Sequence, residues 1–358
     1  MITGAEFMEQ NNPIKRIFSA MLRILAVIAV TLLMLVILLY FVMLLICKGP
    51  SPTARDLFVR SVRETSAIGF LADIYFSPAE IEAIENSSVV SVAETDVSLI
   101  EIDTNKEEHS IDGSSHFTDA WGYCDEDDDG LILVSVPGAT YTGYMLIVLD
   151  PSRVVLGCAP DMLGTKGYTV EQYVNMFDAV AGINGGGFED DNGKGNGSVP
   201  DCAIVSNGEI YCSWQGAGHG FVGFDKDNIL QVGFSSVEDI QKRNIRDGTG
   251  YGPVLVVNGE SVDEDTLSSG LNPRTAIGQR SDGAVLMLVI DGRQPNSLGA
   301  TYADEAEIML RFGAVNACNL DGGSSSLLWY EDKYINNCAS VIGIRPIPTS
   351  FVVLKEGR

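Results

Sequence analysis

Histidine is nearly absent from this chain. The 358 residues hold three, His109, His116 and His219. None has the setting of a nucleophile's base. No G-x-S-x-G elbow, no H-E-x-x-H helix motif and no P-loop occurs. Serine-hydrolase, zinc-peptidase and nucleotide-hydrolysing chemistries therefore drop out first. Basic residues are scarce as well, 23 Lys and Arg against 48 Asp and Glu, for a formal charge of -25. Nucleic acid is excluded as a partner, because phosphate backbones are held by clustered Lys and Arg. The acidic surplus suits a soluble face and a weak attraction for divalent cations.

Cysteine is present seven times but never as C-x-x-C, so no structural zinc site and no metal ligand set is expected. Apart from Cys47, six remain, an even number compatible with disulfides in an oxidising compartment. Cys202 and Cys212 straddle Asn207-Gly208, a hairpin signal that could set them face to face. Buried free thiols are the equal alternative.

One stretch lacks charge, Gly and Pro altogether. Residues 24–47 read ILAVIAVTLLMLVILLYFVMLLIC, long enough to span a bilayer with some tilt. KGPSPTARD follows, with no A-x-A cleavage pattern, so an uncleaved anchor is expected rather than a secretory signal. Lys15, Arg16 and Arg23 flank one side, and Lys48, Arg55, Arg60 and Arg63 the other. The positive-inside rule therefore does not set the orientation.

The chain divides into a short tail (1–23), the apolar helix (24–47), a stalk or small subdomain (48–130) and a strand-rich domain (131–358). In the third segment SPAEIEAIENS carries a helix start, with Ser77 as N-cap and Pro78 at the first position. Its end, Asp-Glu-Asp-Asp-Asp-Gly at 125–130, opens like an EF-hand loop. The twelfth position, where a bidentate Glu is required, is Val136, so a solvated acidic turn is expected instead.

Beyond Leu131, short β-branched runs are broken by Pro-Gly, Thr-Gly and Asn-Gly turns. Two helices stand out. TVEQYVNMFD places Thr169 and Gln172 at capping-box spacing. TYADEAEIMLRFG offers Thr301 as N-cap and Gly313 as stop. The fold class is mixed α/β (α+β), a single strand-rich domain with a few packed helices, preceded by one transmembrane helix. There is also an echo. Each helix leads into a short apolar strand that ends in Asn or Asp and then glycines, AVAGINGGGF and AVNACNLDGGSS. Two such units could bring their glycine turns together.

Carboxylates, amides, hydroxyls and arginines remain to carry chemistry, and four stretches concentrate them. In Asn184-Gly185-Gly186-Gly187 the missing Cβ atoms let backbone approach a ligand, or form an anion nest. In Asn272-Pro-Arg274-Thr275 the guanidinium before a strand could clamp a phosphate, although strand-edge arginines are commonly just solvated. Asp291-Gly-Arg293-Gln294 ends the strand LMLVI, which would fix the Asp in place. Asp321-Gly322-Gly323-Ser324 does the same after VNACNL. His219 in GAGHGF reads as structural more readily than as a ligand contact.

NGGGF, NPRTAIG, DGRQ with SLGAT, a helix, then GAVNACNLDGGSSS: in this order the motifs resemble the phosphodiester glycosidase domain family, over about residues 140–355. That is the family of the lysosomal uncovering enzyme and of bacterial exopolysaccharide-biosynthesis proteins. The resemblance implies a hydrolase of sugar-1-phosphodiesters in cell-envelope or extracellular glycopolymers, releasing sugar and a phosphomonoester. It implies Asp321 and Asp291 as catalytic groups. Asn184, Gly185, Gly186, Arg274, Thr275, Arg293, Gly322, Gly323 and Ser324 would bind the glycosyl-phosphate substrate. Ser324 stands where the family often has a third Gly. Asp304 or Glu305 stands near its usual helix Glu. An anchored enzyme acting on surface polymers favours a single-pass, type II placement with the domain outside the cell membrane. No cofactor is expected, though a divalent cation such as calcium is compatible with the charge. Two other functions fit the residues: a metal-assisted phosphodiesterase with carboxylate ligands, and a non-catalytic glycan-binding module.

Overall fold

The computed structural model describes residues 13–65, 68–85, 93–102, 117–190, 195–212, 220–234, 236–263, 266–340 and 342–357. All three histidines lie outside them. The chain forms two compact units, Met1–Phe58 and Val59–Arg358. In the first, Pro13–Lys48 is a single helix of 36 residues, long and apolar enough from Ile17 onward to cross a membrane or to act as a signal sequence. In the second, Ser77 caps the helix Pro78–Glu85, its backbone N–H and hydroxyl both donating to the Glu80 carboxylate.

Among the described residues the second unit is built on three large antiparallel sheets and a two-stranded ribbon that pairs Phe117–Thr118 with Cys124–Asp125. A seven-stranded sheet runs in the order Glu260–Ser261, Val254–Val257, Ala314–Asn319, Arg274–Arg280, Val285–Ile290, Thr142–Val148, Leu131–Pro137. A five-stranded sheet runs Lys333–Tyr334, Leu328–Tyr330, Ala179–Asn184, Thr349–Leu354, Val154–Cys158. The third runs Leu230–Phe234, Gly220–Asp225, Ile245–Tyr251, Ile204–Ser206, Glu209–Cys212. Leu146, Ile183, Phe224, Met287, Cys318 and Phe351, drawn from all three, share one buried core. The opposite face of the large sheet packs Met145, Leu286 and Leu288 against Ala306 and Met309 of the helix Tyr302–Arg311. The strand VLMLVI is therefore apolar at every position, because both of its faces are covered.

Local signals land where the residues place them. Thr169–Gln172 and Thr301–Asp304 are both complete capping boxes. Gly313 ends the second helix at φ +85°, a left-handed conformation that glycine adopts without strain. Asn207 and Gly208, both at positive φ, turn the hairpin between Ile204–Ser206 and Glu209–Cys212. A register shift in that hairpin sets Cys212 opposite Ile204, away from Cys202. Cys202 Sγ instead lies 3.4 Å from Thr249 Oγ1, and the seven cysteines form no disulfide.

Candidate active site

The two helix–strand–glycine units do meet. Ala179–Asn184 and Ala314–Asn319 belong to different sheets, yet the turns that follow them are hydrogen-bonded to each other. Asp321 N–H donates to Gly185 O at 3.1 Å, and Asn184 Nδ2 donates to Asp321 O at 2.5 Å. Asn184 is fully buried and ties three segments together. Its Oδ1 accepts from Thr275 Oγ1 at 2.8 Å and from Leu327 N–H at 3.2 Å. Asn184 and Thr275 thus fix the Asp321 backbone and the loop behind it.

The glycines are required by close packing. A Cβ on Gly185 would stand 2.4 Å from Thr349 Oγ1, and one on Gly186 2.2 Å from Thr249 Oγ1. The amides of Gly185 and Gly186 donate to Thr349, to its carbonyl and its hydroxyl respectively. They are spent on the protein rather than offered as a nest. At Gly187 the space holds side chains of a different kind: a Cβ there would meet Asp201 Oδ1 at 2.6 Å and the Tyr251 ring at 2.8 Å. In the other turn a Cβ on Gly322 would stand 2.9 Å from Pro273 O.

Asp321 is half-buried at the junction of these turns. Burial pushes its carboxyl up to about 7, and the negative charges of Asp201 and Asp190 push the same way. The Ser325 hydroxyl and the Arg345 guanidinium pull against them. A carboxyl poised near neutral pH can hold or release a proton under working conditions, which acid–base catalysis needs. Burial and the Asp321 charge also raise Tyr251 well above the usual phenol range, so it stays neutral.

The arginines divide by role. Arg274 is buried and held through its Nε and Nη2. Its Nε donates to Ala300 O at 3.1 Å, and its Nη2 to Glu64 Oε2 at 2.8 Å and Gly270 O at 2.7 Å. It also stacks 4.1 Å from the centre of the Tyr302 ring. Arg293 is exposed and sits at φ +57°, a conformation costly for a residue with a side chain. Its guanidinium bonds Asn272 Oδ1 at 2.9 Å and lies over Gly323. Strain of this kind persists where the surroundings impose it, and sites of function are the common place.

Gly323 tests that contact. It sits at φ +64°, and a Cβ would come within 3.2 Å of Arg293 Nη1. Gly323→Ala should cost roughly 1–2 kcal/mol of stability from the backbone alone. It should also raise KM several-fold by displacing the guanidinium. A thermal melt and steady-state kinetics on the same sample check both. An unchanged KM would remove Arg293 from substrate binding.

Asp291 is placed differently from Asp321. Its Oδ1 accepts from Asn337 N–H at 2.9 Å and Asn336 Nδ2 at 3.2 Å, and its Oδ2 from Asn337 Nδ2 at 3.1 Å. The carboxylate thus holds the 336–337 turn. Ser324 lies at the mouth of the loop, half-buried. Three residues at the site had no strong sequence signal. Glu64 comes from the segment read as a stalk, and bonds Arg274, Asn272 and Gly270 N–H. Asp201 lies three residues before the buried strand Ile204–Ser206, where no strand end marks it. Arg345 pairs with Asp190 at 2.7 Å, and its buried Nε has no hydrogen-bond partner.

Comparison with known proteins bears on the family and the fold. Residues 177–354 match the phosphodiester glycosidase family. A prophage-derived protein of Bacillus subtilis, YomE, is 34% identical over 204 residues, covering 54% of this chain and 30% of its own length. The bovine N-acetylglucosamine-1-phosphodiester alpha-N-acetylglucosaminidase is 28% identical over 192 residues, covering 48% of this chain and 34% of its own. The chain thus spans about a third of each of these relatives. The catalytic domain of the zebrafish enzyme superposes with a TM-score of 0.53 at 21% identity, over 63% of this chain and 82% of that one, and so shares the fold.

Proposed function

We propose, on the premise that residues 177–354 form a phosphodiester glycosidase domain, that this chain hydrolyses sugar-1-phosphodiesters at the glycosidic carbon. The observation that carries the reading is Asp321, a carboxyl brought near neutral pH between the two glycine turns. A glycosyl phosphate has a good leaving group and needs little help from an acid. The demand falls on the carbon side, where a carboxylate stabilises oxocarbenium character or activates water. Ionised Asp321 takes that part. Asp201, held in the space that Gly187 leaves open, is the second carboxylate. Asp291 supports the floor through Asn336 and Asn337.

Arg293 and Arg345 face the departing phosphate. Both stand near Asp321, and Arg345 has an unused buried donor. Fixed guanidinium groups stabilise charge that builds on the leaving oxygen. Arg274, whose donors are engaged by Glu64, Ala300 and Gly270, holds the base of the site instead. The helix Pro13–Lys48 serves as a membrane anchor, with the domain outside the cell and acting on envelope glycopolymers. Its apolar side chains from Phe18 to Val42, Leu32, Leu39 and Phe41 among them, are exposed.

Product analysis on a panel of N-acetylglucosamine-1-phosphodiesters tests the reaction. Free sugar and a phosphomonoester are expected. Sugar-1-phosphate as product would mean P–O cleavage and would sink the assignment.

A further inference from the structure

The Asp-x-Asp-x-Asp-Gly turn at 125–130 is not used by the site described above. Its missing twelfth-position Glu suggests a solvated acidic turn, but the structure places it otherwise. Asp125 is only 2% exposed, Asp129 is half-buried and Asp127 is exposed. One carboxylate oxygen from each lies within 4.8 Å of the other two. Asp125 Oδ2 accepts from Gly130 N–H at 2.9 Å. Asp125 Oδ1 is buried and accepts nothing. A buried anionic oxygen without a donor is among the costliest groups to leave in a fold.

Among the described residues no Lys or Arg side chain pairs with it, and none forms an ion pair with any of the three carboxylates. Arg153 is near, but its Nη1 donates to the main-chain oxygen of Asp129 at 2.6 Å and its Nε to Leu354 O at 2.8 Å. Glu126 and Asp128 add further negative charge to the same turn.

We propose that Asp125, Asp127 and Asp129 bind a calcium ion. Three carboxylates supply oxygen ligands in the one, three and five positions of a calcium loop, and water completes the shell. Calcium accepts such irregular, partly hydrated shells, whereas magnesium demands a near-ideal octahedron. The ion gives the orphaned Asp125 oxygen a partner. It also fixes the entry to the edge strand Leu131–Pro137, where Asp129 Oδ1 accepts from Leu131 N–H at 2.8 Å. Asp129 Oδ2 lies 3.4 Å from the Tyr330 hydroxyl, so the turn also touches the strand that follows the Asp-Gly-Gly-Ser segment. Without the bidentate Glu, affinity belongs to the weak end of such loops, a Kd of about 10⁻⁴–10⁻³ M.

The test uses the full chain in detergent, stripped with EDTA and desalted. Calcium chloride at about ten times that Kd should raise the melting temperature by roughly 2–4 °C over potassium chloride of equal ionic strength. Magnesium should do less. Asp127→Asn removes an exposed ligand and one repulsive charge. In EDTA this variant should melt at or above the wild type, which shows that it folds, and it should lose most of the calcium response. Calorimetric titration with calcium alone should give a heat for the wild type and none for the variant. Equal calcium responses in the two proteins, or no response beyond that of potassium chloride, would overturn the proposal.

Discussion

Asp321→Asn should lose 10²–10⁴-fold in kcat/KM, the range in which positioned acid–base groups contribute. The amide keeps the shape of the side chain but cannot take the ionised form. In the wild type, kcat/KM should rise with pH through about 7, the value at which the Asp321 carboxyl ionises, and then level off. That limb should vanish in the variant. Stability should move in the opposite sense. The folded-state pKa lies above the unfolded value near 3.9. Its contribution to stability is therefore fully present below about pH 3.9 and is lost as pH rises through about 7. Above that point Asp321→Asn should be at least as stable as the wild type. An inactive, stable variant separates chemistry from folding. A variant that keeps a tenth or more of wild-type kcat/KM would remove Asp321 from the reaction.

The parts of this site that sequence makes legible are those fixed by local rules. The two capping boxes, Gly313 and the Asn207-Gly208 turn all depend on a few neighbouring residues. The echo of helix, strand and glycine turn also reads locally, and it marks the two turns that meet. What the glycines are for does not read locally. Gly185 and Gly186 look like an open nest until Thr249 and Thr349, from two other strands, fill the space around them. Asp291 and Asp321 have the same local signature, a carboxylate at the end of a buried strand. They part only because Asn336 and Asn337 saturate one of them. Glu64 lies 210 residues from Arg274 in sequence, and no periodicity connects them. The two-residue turn pairs Ser206 with Glu209, which already sets Cys212 off Cys202 by one position, and a register shift further along moves Cys212 on to Ile204.

Glu305→Met should stabilise the protein by about 1–3 kcal/mol at pH 8, the usual penalty for buried polar groups left unpaired. Glu305 lies in the first turn of the helix Tyr302–Arg311, where the helix dipole favours a carboxylate. Met309, one turn on, packs against the large sheet, and Glu305 shares that face. The side chain is fully buried, and neither carboxylate oxygen has a hydrogen-bond partner. Burial pushes its pKa well above the ordinary range, against the pull of Arg274. Arg274 forms no hydrogen bond to it, and its Nε and Nη2 donate to Ala300, Glu64 and Gly270. The sign follows from the raised pKa: the stability Glu305 offers is complete below about pH 4.3, its unfolded value, and drains away as pH climbs toward the folded one. Met has similar bulk and no charge. The two proteins should therefore differ little near pH 4 and diverge at higher pH, which urea melts at both ends would read. A variant less stable at pH 8, with the deficit shrinking near pH 4, would mean that Glu305 and Arg274 act as an ion pair. Greater stability with lower kcat/KM would identify the opposite case, a carboxyl kept beside Arg274 for the site at the expense of the fold.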